Sequence, residues 1–245
     1  MTLSELWLVR HGESVANVAA ARAEASGAEV IEVGWRDADV PLSDTGREQA
    51  LALGGLLARL PEPAAVWTSP YLRARQTIEI AFPGGAGSPG SAGGPVARLD
   101  ERLRDRELGI LDLLTAHGVE QRFPAEAARR RWLGKLYYRP PGGESWSDVA
   151  ARLRSFLRDA DAAVDGVALV SSHDAVVWLF LFVCLGLDEA ALFELVAGRS
   201  IANASFTRLR RVGAAWRLEE FAETGHLAQQ GAPVTHHPGE RSDVH

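Results

Sequence analysis

"ELWLVRHGESVANVAAARAEA", residues 5–25, passes from an apolar run straight into Arg10, His11, Gly12 and Glu13, and then into an alanine-rich segment. Residues 5–9 read as a short buried strand, and residues 13–25 as a helix. A strand feeding a helix is the building unit of an open α/β sheet. In such sheets ligands bind beyond the carboxyl ends of the strands, which is where Arg10 and His11 would stand. Whether the pair is a reaction centre or a polar strand end depends on what the other strand ends carry.

The alternation continues along the chain. After the loop "GWRDADVPLSDTG" (34–46), Thr45-Gly46-Arg47-Glu48 offers a capping box for a helix to Leu60. Residues 64–69 predict a second strand, 71–82 a helix, 96–100 a third strand and 167–172 a fourth. "PGGAGSPGSAGGP" (83–95) reads as a flexible surface loop. Residues 147–164 form an amphipathic helix pattern, 175–187 a buried helix and 188–197 a short one. "ASFTRLRR" and "AWRLEEFA" look like an antiparallel pair around Val212-Gly213. The expected architecture is a three-layer α/β/α sandwich with a mostly parallel central sheet and an antiparallel edge. Residues 101–141 are charged and irregular, with a helix around 125–133, and read as an insertion over one end of the sheet. The expected organisation is one domain over 1–224, with a cap-like insertion around 101–146 and a flexible polar tail at 225–245.

Composition narrows the function. A chain of 245 residues, 47% hydrophobic and 24% charged, suits one such domain. A net charge of -6 excludes a general nucleic-acid binder, which needs a basic face for the phosphates. Of 26 basic residues only Lys135 is lysine, a pattern that codon bias explains. Cys184 is the single cysteine, so no intramolecular disulfide and no cysteine-based zinc site can form. The most apolar segment, 175–187, is too short to span a bilayer. With no secretory pattern at the start, a cytoplasmic protein is expected, with neither nucleic acid nor membrane as partner. His117, His226, His236, His237 and His245 show no metal-ligand spacing, and the tail histidines read as solvated; neither metal nor cofactor is expected.

Chemistry collects at three predicted strand ends. The first carries Arg10-His11-Gly12-Glu13. The second continues as "TSPYLRARQT", which puts Arg73 and Arg75 in the first turn of a helix. The fourth ends "SSHDAV", with His173 and Asp174. Two imidazoles and at least two guanidiniums on one patch suit a phosphoryl group. Arginine forks neutralise its oxygens, and helix starts add N–H donors. A neutral imidazole can attack phosphorus in line, and a protonated carboxyl helps the alkoxide leave.

"LVRHGES" with Asn17, then "SPYLRARQT", then "SSHDAVV" resembles the histidine phosphatase superfamily (phosphoglycerate mutase-like, branch 1), over roughly residues 6–210 and in the family's order. The resemblance implies that His11 is the nucleophile and that Arg10, Asn17, Arg73 and His173 bind the phosphoryl group. His173 also stabilises the transition state, while Arg75 falls on a variable position. For the acid, the phosphoglycerate mutase branch has a glutamate four residues before a glycine. Here "LRDRELG" puts Asp105 four before Gly109, with Glu107 second in line. Asp174, directly after His173, matches the acid of the phytase-like branch instead. Glu144, in the family-like "PPGGES", is expected near the pocket rim. Glu13 reads as a cap or an orienting group, and Arg129-Arg130-Arg131 as a grip for a second anion or a solvated helix face.

The implied activity is a metal-independent phosphatase acting on a small phosphorylated substrate, with the homodimer question open. "GWRDADVPLSDTG" resembles the mutase loop, so mutase-type phosphotransfer is the alternative. Against it, no lysine follows the Gly109 segment, and "NASFTRLRR" is closer to the phosphatase branches. A non-catalytic phospho-ligand binder is the third reading, opposed by the intact set of Arg10, His11, Arg73 and His173.

Overall fold

Leu6, Trp7, Leu8 and Val9 are each no more than 2% exposed. They form the middle of β1 (Leu3–Arg10), which the computed structural model covers on both faces. The structure describes residues 2–82 and 96–237. The glycine-rich loop expected at 83–95 lies outside the described residues.

Among the described residues β1 pairs into a sheet with β2 (Ala65–Thr68), β3 (Arg98–Leu99), β4 (Gly166–Ser172), β5 (Phe206–Val212) and β6 (Ala215–Glu223). The strand order is β3-β2-β4-β1-β5-β6. The first four run parallel, while β5 is antiparallel to β1 and β6 antiparallel to β5. This is the mostly parallel sheet with an antiparallel edge that the sequence predicts. The hairpin between β5 and β6 turns at Gly213, whose φ of +63° suits a residue without Cβ.

The helices in chain order are α1 (Val15–Ser26), α2 (Asp44–Leu57), α3 (Leu72–Ala81), α4 (Ala116–Arg122), α5 (Pro124–Tyr137), α6 (Trp146–Ala163), α7 (Asp174–Leu185), α8 (Glu189–Val196) and α9 (Gly225–Gln229). Alternation along the strands divides the core into two layers. Leu6, Leu8, Trp67 and Val170 pack on Val149, Leu153 and Phe156 of α6 and on Val177 and Phe180 of α7. Trp7, Val9, Val66 and Leu169 point the other way, onto Leu53 and Leu57 of α2 and Ile78 of α3. Each such side chain contributes roughly 1.5–3 kcal/mol by leaving water. Central α7 is apolar on nearly every side because it is buried in the first layer, whereas α6 keeps a polar outer face.

Helix starts follow short polar side chains. Ser14 and Asn17 form a reciprocal capping box on α1, at 3.1 Å in each direction. For α2 the box expected at Thr45 and Glu48 is displaced. Ser43 caps the helix, accepting from Gly46 N at 3.0 Å, so Thr45 is already inside the first turn. The helix expected over 125–133 lies within α5, which breaks at Gly134 (φ +74°). From Gly225, where a loose tail is expected, the described residues instead form α9 and then a segment to His237 with several hydrogen-bond partners. Residues 238–245 lie outside the described residues. Among the described residues no helix is long and apolar enough to cross a membrane.

Candidate active site

Parallel register brings the predicted residues together. Arg10 on β1 lies opposite Ser172 on β4, and Thr68 on β2 lies opposite Ser171. The ladder continues one step past the strands: His11 N donates to Ser172 O, and Ser69 N to Ser171 O, each at 2.9 Å. His11, Ser69 and His173 therefore leave the carboxyl edge side by side. The two imidazole centroids are 5.2 Å apart.

His11 is held by its backbone and by one ring nitrogen. Its carbonyl accepts from Asn203 Nδ2 (3.1 Å) and from Ala204 N (3.2 Å). Its Nδ1 lies 2.7 Å from Gly12 O, and a carbonyl can only accept, so Nδ1 carries the proton. Nε2 then keeps its lone pair. Burial, reinforced by the charges of Arg73 and Arg10 and by neighbouring His173, pushes the imidazole well below its ordinary range. It is neutral near neutral pH, as a nucleophile must be. The loop that carries it can pass only because Gly12 and Gly46 lack side chains. A Cβ on Gly12 would stand 2.5 Å from Gly46 O, and one on Gly46 would stand 2.0 Å from Glu13 O.

Arg73, in the first turn of α3, is 4% exposed and shared between two carboxylates. Its Nη1 donates to Asp37 O (2.6 Å) and Asp37 Oδ1 (2.8 Å), and its Nη2 to Asp105 Oδ2 (3.1 Å). The guanidinium also lies 5.0 Å from the Tyr71 ring centroid. Asp105 Oδ2 is 3.3 Å from His173 Nδ1, close enough to pair but not aligned as a hydrogen bond. Burial alone would raise the Asp105 carboxyl. His173, Arg73 and the Arg106 N–H outweigh it and hold the group well below the carboxylate range. His173, fully buried, meets Ser69 Oγ at 2.8 Å through Nε2, and burial lowers its pKa. Arg75 points away and pairs with Glu79 along α3, at 3.9 Å.

Arg10 is 2% exposed. Its Nη1 donates to Ile201 O, its Nη2 to His237 O at 2.6 Å, and its buried Nε has no partner among the described residues. Asp174 Oδ1 lies 4.0 Å from Nη1, and burial raises the Asp174 carboxyl. Asn17 spends Oδ1 on the α1 cap and on Asn203 Nδ2 (3.3 Å). Glu107 accepts from the Tyr71 hydroxyl at 3.1 Å, so it sits beside the cluster rather than between the imidazoles. Glu144 is taken up by two guanidiniums, Arg104 at 2.7 Å and Arg152 at 3.0 Å, and clamps the insertion to α6. In the arginine run of α5, Arg131 pairs with Glu120 at 2.5 Å.

Sequence reasoning passes over Asp37, Ser69, Tyr71 and Asn203 as site residues. Ser69, Tyr71 and Asn203 lie inside motifs already quoted, and nothing in charge or periodicity marks them. Of the tail histidines, expected to be solvated, His236 is exposed, with Nδ1 2.8 Å from Ser200 Oγ, whereas His226 is buried, with Nε2 on Ala204 O (3.0 Å), and His237 is half-buried, with Nε2 on Glu13 Oε2 (2.8 Å). Burial overrides polarity for His226, and neighbouring polar side chains hold the other two. His245 lies outside the described residues.

The sheet thus carries two imidazoles and two guanidiniums, all buried, at its carboxyl edge. Residues 6–224 match the family model of the histidine phosphatase superfamily (branch 1), and the chain belongs to that superfamily. It is 36% identical over 171 residues to the 2,3-bisphosphoglycerate-dependent phosphoglycerate mutase 2 of Gloeobacter violaceus, covering 69% of each chain. It is 34% identical over 125 residues to the glucosyl-3-phosphoglycerate phosphatase of Mycobacterium tuberculosis, covering 51% of each. A solved structure of mycobacterial glucosyl-3-phosphoglycerate phosphatase with VO3 superposes with a TM-score of 0.70 at 27% identity, over 90% of this chain and all of that one. The relatives thus include both phosphatases and mutases.

Proposed function

We infer that this chain is a phosphatase for a small phosphomonoester and works through a phosphohistidine on His11. The observation that carries the reading is the Nδ1–H bond from His11 to Gly12 O at 2.7 Å, which fixes the tautomer that leaves Nε2 its lone pair among Arg10, Arg73 and His173, while burial keeps the ring neutral. Nε2 attacks phosphorus, the P–O bond to the ester oxygen breaks, and the leaving alkoxide takes a proton from Asp105. Water then attacks the phosphohistidine and returns a proton to Asp105, which frees phosphate and restores Nε2. Arg10, Arg73, Asn17 and the Nδ1–H of His173 hold the phosphoryl oxygens. The arginines supply the positive charge that the dianion needs, so the cycle requires no metal or cofactor.

Asp105 is ionised in the free protein because His173 and Arg73 together hold it. A phosphoryl dianion takes up that guanidinium and sets its own charge beside the carboxylate. Both effects favour protonation, so binding loads the acid. One observation favours a second donor: Asp174 is the carboxyl whose pKa burial already raises.

The test is hydrolysis of an aryl phosphate, in EDTA, by wild type and His11→Ala. Turnover should fall at least about a thousand-fold in the variant, the scale for losing a covalent nucleophile. Equal rates refute the nucleophile, and dependence on added metal refutes the charge argument. Interconversion of phosphoglycerate isomers faster than hydrolysis would make the chain a mutase.

A further inference from the structure

The C-terminal residues 232–237 run back from α9 across the loop that carries His11 and are pinned along their length. Gln49 Nε2 donates to Pro233 O and to Thr235 Oγ1, both at 2.9 Å. Asn203 N donates to Thr235 O (3.1 Å), and Thr235 Oγ1 donates to Asn203 Oδ1 (3.2 Å). Ala232 is buried against Ala52, Ala204 and Leu227. Beyond these anchors, His237 reaches the site itself. Its carbonyl accepts from Arg10 Nη2 at 2.6 Å, and its ring nitrogen meets Glu13 Oε2 at 2.8 Å.

The two carbonyls on Arg10 are not equivalent. Ile201 is 1% exposed and belongs to the main apolar core, so its carbonyl cannot leave. Around His237 this C-terminal strap is held by side-chain contacts alone, His236 on Ser200 and the His237 ring on Glu13, each at 2.8 Å. The neutral carbonyl of His237 holds one N–H of a buried guanidinium, where a phosphoryl dianion would add charge–charge attraction to the hydrogen bond. We propose that residues 236–237 are a built-in competitor for the phosphoryl group. His237 O occupies Arg10 in the free enzyme, and a dianionic substrate displaces it while Gln49 and Asn203 keep residues 233–235 in place. The inference rests on the reading of Arg10 as a phosphate ligand. It adds a threshold: a ligand must outbid the strap, so weakly charged anions are excluded and apparent affinity falls by the fraction of closed protein.

The test uses the full-length chain with inorganic phosphate as probe. The double variant Thr235→Val, His237→Ala removes an anchor and the Glu13 contact without touching Arg10 or His11. Calorimetry should show phosphate binding at least about five-fold tighter than in wild type, with KM for an aryl phosphate falling in step and kcat within about two-fold. In wild type, the His237 ring signals in NMR, assigned by their loss in His237→Gln, should move to those of a free, mobile ring when phosphate is added. Unchanged or weaker phosphate binding in the double variant overturns the proposal. So does a His237 ring that phosphate immobilises, which would mark a lid closing over the ligand. Phosphate that binds neither protein overturns the phosphoryl-pocket reading itself and the competitor with it.

Discussion

Asp105→Asn separates the acid from the electrostatic scaffold around it. The substitution keeps the shape and leaves an oxygen for Arg73 Nη2, now 3.1 Å from Asp105 Oδ2, but it removes the transferable proton. For an alkyl phosphate such as glycerol phosphate, kcat/KM should fall about 10²–10⁴-fold, the range for losing a general acid. That is roughly 3–5 kcal/mol of barrier. A nitrophenolate leaves without help, so the loss on p-nitrophenyl phosphate should stay within about ten-fold. Stability gives an independent check. The folded-state pKa of Asp105 is depressed, so its contribution is present above the unfolded carboxylate value of about 3.9 and disappears as pH falls through the folded value. Because Arg73 keeps Asp37, Asp105→Asn should cost only about 1 kcal/mol near neutral pH, and the difference should vanish in acid. The assay is kcat/KM on both substrates for wild type, Asp105→Asn and Asp174→Asn, with denaturant melts at two pH values. Equal slowing of both substrates by Asp105→Asn, or selective slowing by Asp174→Asn alone, would sink the assignment of Asp105.

Three further outcomes follow from the same geometry. Gly12→Ala places a Cβ 2.5 Å from Gly46 O in the backbone of α2, which should cost roughly 1–3 kcal/mol in a urea melt and lower kcat, since Gly12 O holds His11. Asn203→Ala removes one of the two donors to the His11 carbonyl and the Asn203 contact of Asn17, so kcat should drop about ten-fold with a smaller change in KM, the effect of losing a buried hydrogen-bonding amide. Burial and the arginine charges depress the His11 imidazole, so it is active when deprotonated. The acid limb of kcat/KM against pH should therefore lie below the ordinary histidine value of about 6.5, and a limb at or above it would show that His11 is not buried as described.

The sheet was legible because its strands announce themselves: a strand buried on both faces must be apolar at successive positions, as residues 6–9 are. Arg10 and His11 stood out because they follow an apolar run directly, and Arg73 and His173 because their motifs, at two further predicted strand ends, resemble those of the histidine phosphatase superfamily. The neighbours that set their chemistry were harder to see. Ser69, Asp37 and Asn203 are common surface residue types; parallel register places Ser69 against His173, the return of the chain after β4 places Asn203 against His11, and the loop before α2 brings Asp37 onto Arg73. The Ser43 cap was missed because a Thr-x-x-Glu pattern two residues later satisfies the same rule. The segment at 230–237 was misread for a different reason. Its polarity suggests solvent, but its partners are polar groups at the sheet's carboxyl edge, and composition does not tell the two apart.

The clasp on His11 has a consequence for how the molecule is made. Asn203 and Ala204 hold the carbonyl of a residue 192 and 193 positions earlier in the chain. The backbone of His11 is therefore fixed only when segments far apart in sequence have come together. A fragment lacking residues from Asn203 onward still contains both β1 and β4, yet it leaves His11 unclasped. Phosphatase activity during refolding should therefore return as one late step, after the bulk of the sheet has formed, rather than in proportion to structure gained.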